Sequence, residues 1–177
     1  TRVMMSQPPQ IEGFSALHLL GRGGMGEVWG GRHVRTGLPV AIKLLHRDRP
    51  RSELLQEARA IARLSHPGIL QIYDLGSLGG RPYLVMARAE ASLTQHTIGA
   101  RRLLLSLLDA AAHAHARGVI HRDIKPSNIL IDAAGSPLLA DFGIAVLLEE
   151  ARTGDVCGSL PYMAPEQLRG RWRTVGP

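Results

Sequence analysis

Long apolar runs, paired cysteines, lysine and aromatic rings are all scarce in this chain of 177 residues. The richest apolar stretch, Leu103–Leu108, is broken by Ser106 and falls well short of the roughly 18–20 residues a membrane span needs. No charged start followed by an apolar run and a small-residue cleavage site occurs, so nothing points to export. The single cysteine, Cys157, excludes an internal disulfide and suits a reducing cytoplasm. Aromatics are only 4% of the residues, although the net charge is +6 and the pI about 10.4. A nucleic-acid face interleaves a basic stripe with stacking rings. Here 19 of the 21 basic residues are scattered Arg, clustered briefly at Arg47/Arg49/Arg51 and Arg169/Arg171/Arg173. That charge reads as solvated surface, with no nucleic acid as partner. Lysine occurs only as Lys43 and Lys125.

What is present describes a soluble globular protein: 45% hydrophobic and 20% charged residues, with mean hydropathy near zero. Residues 1–12, with Pro8-Pro9 among polar neighbours, read as a leader or linker. From 13 to 86 the chain is glycine-rich with short apolar alternations. Strands are expected near 14–20, 26–33, 38–45, 69–75 and 82–86, with turns at Arg35-Thr36-Gly37 and Gly76–Gly80. A helix is expected over about 51–64, stopped by Ser65-His66-Pro67-Gly68. From 87 to 177 the pattern turns helical. Leu103, Leu104, Leu107, Leu108, Ala111 and Ala112 recur on one face of a 3.6-residue period, and Gly118 closes that helix. Short strands follow at 129–131 and 138–140. A strand-rich first half and a helical second half predict two lobes with a seam near 87–92.

Several short motifs carry chemistry. Gly21-Arg22-Gly23-Gly24-Met25-Gly26-Glu27-Val28 is a GxGxxGxV run, whose glycines let backbone N–H groups approach phosphate oxygens. Alone it is equally compatible with an ordinary glycine-rich turn. No Gly-Lys-Ser/Thr follows it, and a strand rather than a helix comes next, which excludes a Walker loop and a dinucleotide fingerprint. In Val40-Ala41-Ile42-Lys43-Leu44, alternation sends Ala41 and Lys43 to one face and Val40, Ile42 and Leu44 to the other. The first set suits a flat base leading to phosphates; the bland alternative is an edge lysine reaching solvent. Glu57 falls within the apolar stripe Leu54, Ala58, Ile61, Ala62. A carboxylate on that stripe needs a cation, for which Lys43 serves, unless the helix turns Glu57 to the rim. His121-Arg122-Asp123-Ile124-Lys125-Pro126-Ser127-Asn128 and Asp141-Phe142-Gly143 supply a carboxylate able to accept a hydroxyl proton, a lysine, and oxygens suited to Mg²⁺. His113 and His115 lie about 200° apart on a helix and cannot share a metal. Cys157 reads as an inert thiol.

Taken together, these residues resemble the protein kinases, and among them the bacterial eukaryotic-like serine/threonine kinases. The set is GxGxxGxV at 21–28, VAIK at 40–43, Glu57, HRDIKPSN at 121–128, DFG at 141–143 and APE at 164–166, in family order from about Phe14 to Gly170. The resemblance implies an α+β, protein-kinase-like two-lobe fold, with an antiparallel β-sheet N-lobe plus helix and a partial, mainly helical C-lobe. It implies transfer of the γ-phosphoryl group of MgATP to Ser/Thr hydroxyls of proteins, autophosphorylation between associated copies included. Lys43 would hold the α- and β-phosphates and pair with Glu57. Asp123 would deprotonate the substrate hydroxyl, and Lys125 would neutralise the γ-phosphate. Asn128 and Asp141 would hold Mg²⁺. Leu20, Val28, Ala41 and Leu130 would wall the adenine, with Gly21, Gly23 and Gly26 over the phosphates. Met86 would gate the pocket, and Ala87–Ala89 would offer backbone hydrogen bonds to the base. Ile61, Ile72, His121 and Phe142 would stack as an apolar column. Lys125-Pro126 resembles serine/threonine rather than tyrosine kinases. Arg122 suggests control by activation-loop phosphorylation, with Thr153 the expected phosphosite and Gly158-Ser159 the substrate-receiving loop.

The chain ends eleven residues after Glu166, where kinases continue with several further helices. The expectation is therefore a C-lobe truncated after APE, a leucine face on the helix at 101–117 covered on one side only, and a marginally stable lower lobe. The alternative to an active enzyme is a catalytically inactive, nucleotide-binding kinase fragment acting as a regulatory or interaction module.

Overall fold

A computed structural model describes residues 7–23, 26–46, 58–142 and 160–169. They fall into two compact units: residues 1–48 with 73–88, and residues 49–72 with 89–177. The expected division kept 13–86 together, whereas 49–72 groups with the second unit. The reason is local hydrogen bonding. Leu70 N donates to Leu139 O at 3.0 Å, Leu139 N donates to Gly68 O at 2.8 Å, and His66 Nε2 lies 3.1 Å from Asp109 Oδ2.

The first unit is built on a five-stranded sheet of β1 (Phe14–Gly23), β2 (Gly26–His33), β3 (Pro39–Leu45), β4 (Ile72–Leu78) and β5 (Arg81–Ala87), ordered β1-β2-β3-β5-β4. β1 with β2, β2 with β3 and β3 with β5 pair antiparallel. The β2–β3 hairpin closes where His33 N donates to Leu38 O (3.0 Å) and Gly37 N to His33 O (2.8 Å). Two residues, Gly79 and Gly80, join β4 to β5, both at positive φ, which is what a tight primed hairpin turn requires. The turn is thus narrower than the expected 76–80. Gly76 is a strand residue instead, and a side chain there would strike the Tyr83 ring 2.1 Å away. β4 also starts three residues later than expected, because Ile69 bridges Leu139. Ile11, Val40, Ile42 and Val85 form the buried cluster, with Phe14, Leu17, Leu78 and Tyr83 packed against it.

The second unit contains a helical turn ending at 62, a three-stranded sheet and the helix α1 (Ala100–His115). The sheet runs β6 (Ala91–Ser92), β7 (Ile129–Ile131), β8 (Pro137–Leu139) in spatial order. A short helix, α2 (Pro165–Leu168), lies toward the C-terminus. The buried stripe of α1 is rotated from the expected one. Ala110 and Ala114 are its buried residues, Leu103 and Leu107 are half-buried, and Leu104, Leu108 and Ala112 are exposed. The small alanines let α1 approach its neighbours closely, and the leucines on its other face, Leu105 included, have no cover among the described residues.

Gly26 is among the glycines that cannot be replaced without strain. At Gly26, φ is +147° and an added Cβ would sit 2.1 Å from Leu44 O, whereas at Gly21 it would meet nothing within 4 Å. Gly26→Ala is expected to lower stability by about 1–3 kcal/mol, and Gly21→Ala to stay within about 0.5 kcal/mol of wild type. Denaturant titrations of both variants beside wild type check the contrast.

Candidate functional site

The expected site residues divide between the two units. In the first unit they are set by strand register, since directly opposed residues of an antiparallel ladder share a face. Val28, Lys43 and Leu84 are opposed across β2, β3 and β5, and so are Gly30, Ala41 and Met86. The intervening row of Trp29, Ile42 and Val85 faces the other way, where Ile42 and Val85 enter the buried cluster. Alternation on β3 therefore divides lysine from core as the sequence implied. Lys43 is only 6% exposed, a burial that an ammonium group tolerates only with partners. Glu57, its expected partner, lies outside the described residues.

The glycine-rich turn joins β1 to β2, with Gly23 opposite Gly26. Added side chains at Gly21 and Gly23 would meet nothing within 4 Å among the described residues, so the backbone there is bare of described neighbours on that side. Leu20 falls in an irregularity of the ladder between Leu19 and Gly21 and is exposed, while Val28 is half-buried. Met86 is buried and Ala87 ends β5.

The second unit holds Ala89, Asp123, Lys125, Asn128, Leu130 and Asp141. Its centre is the loop 121–128, which lies between α1 and β7. His121 is 2% exposed, with Nε2 2.8 Å from Ala140 O and Nδ1 accepting the Asp123 N–H at 3.2 Å. Nδ1 acts as acceptor, so the ring proton belongs on Nε2, which donates to the carbonyl. Burial pushes the His121 pKa below its ordinary 6.5, against the raising effects of the Ala140 carbonyl, Asp123 and Asp141. The Phe142 ring packs on this imidazole with centroids 4.6 Å apart. Ile61 is buried and Ile72 half-buried in the same unit.

Asp123 is tightly held. Its Oδ2 lies 2.8 Å from Lys125 Nζ and accepts from Asn128 Nδ2 at 2.8 Å. The same Nδ2 donates to Asp123 O at 2.8 Å. Both amide hydrogens of Asn128 are thus engaged, which leaves its Oδ1 as the acceptor end. Backbone bonds from Asn128 N to Lys125 O and from Ala140 N to Asn128 O, each 2.9 Å, fix the loop to the strand end. Arg122 and Asp141 adopt φ of +64° and +56°. Such conformations cost a non-glycine residue about 1–2 kcal/mol and persist where surroundings over-determine them. Arg122 Nε is buried without a hydrogen-bond partner among the described residues.

The sequence reading did not select Gln167. It is buried, and its side chain bridges Ala164 N (2.8 Å) and Arg122 O (2.7 Å). The signal available was a glutamine three residues after a helix start with Pro165 in the first turn. Ala164 at the cap hid it, since alanine has no oxygen with which to reciprocate. Gly143, Thr153, Cys157 and Gly158-Ser159 lie outside the described residues.

Comparison with known proteins shows the family. The family model described as Protein kinase domain matches residues 14–175. The chain is 37% identical over 177 aligned residues to the DNA damage-responsive serine/threonine-protein kinase RqkA of Deinococcus radiodurans, covering 89% of this chain and 26% of that protein. It is 39% identical to serine/threonine-protein kinase Pkn1 of Myxococcus xanthus, covering 89% of this chain and 26% of that one. Against serine/threonine-protein kinase PrkC of Bacillus subtilis the identity is 36%, over 89% and 27% of the two chains. The chain thus spans about a quarter of the length of these relatives.

A pH dependence follows from His121. The unfolded chain carries a histidine that takes up a proton as pH falls through 6.5, and the folded one resists it. The stability this group contributes is complete above pH 6.5 and is lost progressively below it, by at most about 1.4 kcal/mol per pH unit. His113, whose pKa is also lowered, acts in the same direction. Denaturant titrations at pH 7.5 and 5.5 should show the fall, and in an NMR titration the His121 ring should take up its proton at lower pH than a histidine of the unfolded chain. A ring that protonates no lower than the unfolded one would contradict the assignment.

Proposed function

The chain belongs to the protein kinase family, and from that premise we propose that it is an ATP-dependent serine/threonine protein kinase using Mg²⁺ and acting on protein hydroxyls, its own included. The observation that carries this reading is the cluster Asp123–Lys125–Asn128, with both partners 2.8 Å from one carboxylate oxygen. Only Oδ2 of Asp123 is engaged among the described residues, and Oδ1 is the proposed acceptor for the proton of a substrate hydroxyl. ATP supplies the phosphoryl group, and the metal supplies charge neutralisation at its phosphates.

The remaining roles are those that the resemblance to the family implies for this chain's residues, and their chemistry is compatible with them. Lys43 holds phosphate oxygens with Glu57 as its carboxylate partner, and Lys125 adds positive charge beside Asp123. The bare backbone at Gly21 and Gly23 suits close approach of phosphate. Asn128 Oδ1 and the Asp141 carboxylate are hard oxygen donors of the kind Mg²⁺ accepts while keeping several waters. Leu20, Val28, Ala41, Met86 and Leu130 supply apolar contacts to a base, and the backbone of Ala87 to Ala89 its hydrogen bonds. Because Arg122 Nε is buried without a hydrogen-bond partner among the described residues, a phosphate on Thr153 is the proposed regulatory partner. One copy phosphorylating another is the proposed route to that state. No helix among the described residues is long and apolar enough to cross a membrane, and the lone cysteine favours the cytoplasm as the setting.

The purified chain incubated with MgATP should gain mass in steps of one phosphate or phosphorylate a generic basic protein. Asp123→Asn should lower that rate by about 10²–10⁴ while nucleotide affinity, measured by calorimetry, is retained. A chain with no affinity for adenine nucleotides and Mg²⁺ would overturn the reading. Phosphopeptide mapping of the active protein should find Thr153 modified, and an active enzyme unmodified there would remove that assignment.

A further inference from the structure

Gln167 is 4% exposed and reaches back 45 residues along the chain to the loop that carries Asp123. Its Nε2 donates to Arg122 O at 2.7 Å, and its Oε1 accepts from Ala164 N at 2.8 Å. The peptide unit between Arg122 and Asp123 is consequently gripped from both ends. Gln167 takes the carbonyl, and His121 Nδ1 takes the Asp123 N–H at 3.2 Å. That peptide follows a residue at φ +64°, so its plane is one the chain would not choose unaided.

We infer that Gln167 is a positioning residue for the reaction proposed above: it orients the Arg122–Asp123 peptide and through it the Asp123 carboxylate. The inference rests on that kinase reading for its catalytic consequence, and on geometry alone for the clamp. Side-chain chemistry selects glutamine here. A helix N-terminus accepts either Glu or Gln three residues after its cap, because each offers an oxygen to the cap N–H. Only glutamine can also donate from its other end. A carboxylate would bring a second oxygen against the Arg122 carbonyl, where two acceptors cannot bond. A residue serving the helix cap alone has no need of the amide, and its far end need not be buried.

The decisive variant is therefore Gln167→Glu, which keeps the acceptor for Ala164 and removes the donor to Arg122. Two readings are taken on the full chain. Amide exchange followed by NMR, corrected for intrinsic rates, should show protection at Asp123 falling about tenfold at pH 7.5, the scale of one buried hydrogen bond. Protection in 129–139 should be unchanged. Phosphorylation of a generic basic protein should fall about tenfold in kcat, with KM for ATP within twofold of wild type. A general loosening would lower protection across 129–139 as well and so count against a positioning role. Should Gln167→Glu fail to fold, Gln167→Leu of matched size takes the same two readings and should add faster exchange at Ala164. Unchanged Asp123 protection with unchanged kcat makes Gln167 a helix cap only and overturns the inference. If wild type shows no turnover, the kinase reading fails, and Asp123 protection decides the clamp by itself.

Discussion

A single neutral imidazole organises the second unit. His121 donates to Ala140 at one ring nitrogen and accepts from the Asp123 amide at the other. It thereby ties the loop bearing Asp123 to the chain that runs into Asp141 and Phe142. The arrangement demands one donor and one acceptor at fixed geometry, which a protonated ring with two donors cannot satisfy. Burial supplies the bias toward the neutral form. Lys125 and Asn128 then converge on Asp123, and two left-handed residues, Arg122 and Asp141, are held where an isolated chain would not leave them.

The first unit achieves its positioning by a different device. On β3, a period of two separates Ala41 and Lys43 from Val40 and Ile42, and registers on both sides carry that division to β2 and β5. A slip of one residue would send the lysine into the apolar cluster. The cluster of Ile11, Val40, Ile42 and Val85 is therefore what fixes the direction of the ammonium group. In both units the polar chemistry is aimed by apolar or neutral neighbours rather than by charge pairing alone.

Much of this was legible beforehand, and the exceptions have physical causes. β2, β3, β7 and β8 lie within a residue of where their alternation and turns put them. The protein kinase α+β fold follows from motifs whose order along the chain is itself informative. β4 was misplaced because Ile69 and Leu70 look like strand residues but spend their bonding on Leu139, a partner about seventy positions away. The face of α1 was rotated because periodicity weighs leucine above alanine, whereas close packing in this unit uses Ala110 and Ala114. Gln167 was invisible for two reasons at once: its partner is remote, and the residue at the cap lacks the oxygen that would have marked the motif. The Lys43–Glu57 pair and the Thr153 assignment concern positions beyond the described residues and stay proposals.

The scarcity of lysine gains a practical meaning once burial is known. Of the two side-chain amines in this sequence, Lys43 is buried within the sheet and Lys125, half-buried, is paired with Asp123. Amine-directed acylating reagents therefore have almost nothing to modify in the native protein apart from a free chain terminus. Every additional acyl group in this segment counted by mass reports one of two known positions, Lys43 or Lys125. The protein carries its own sparse label set, sensitive to opening of either unit and to whatever occupies the ground beside those two nitrogens.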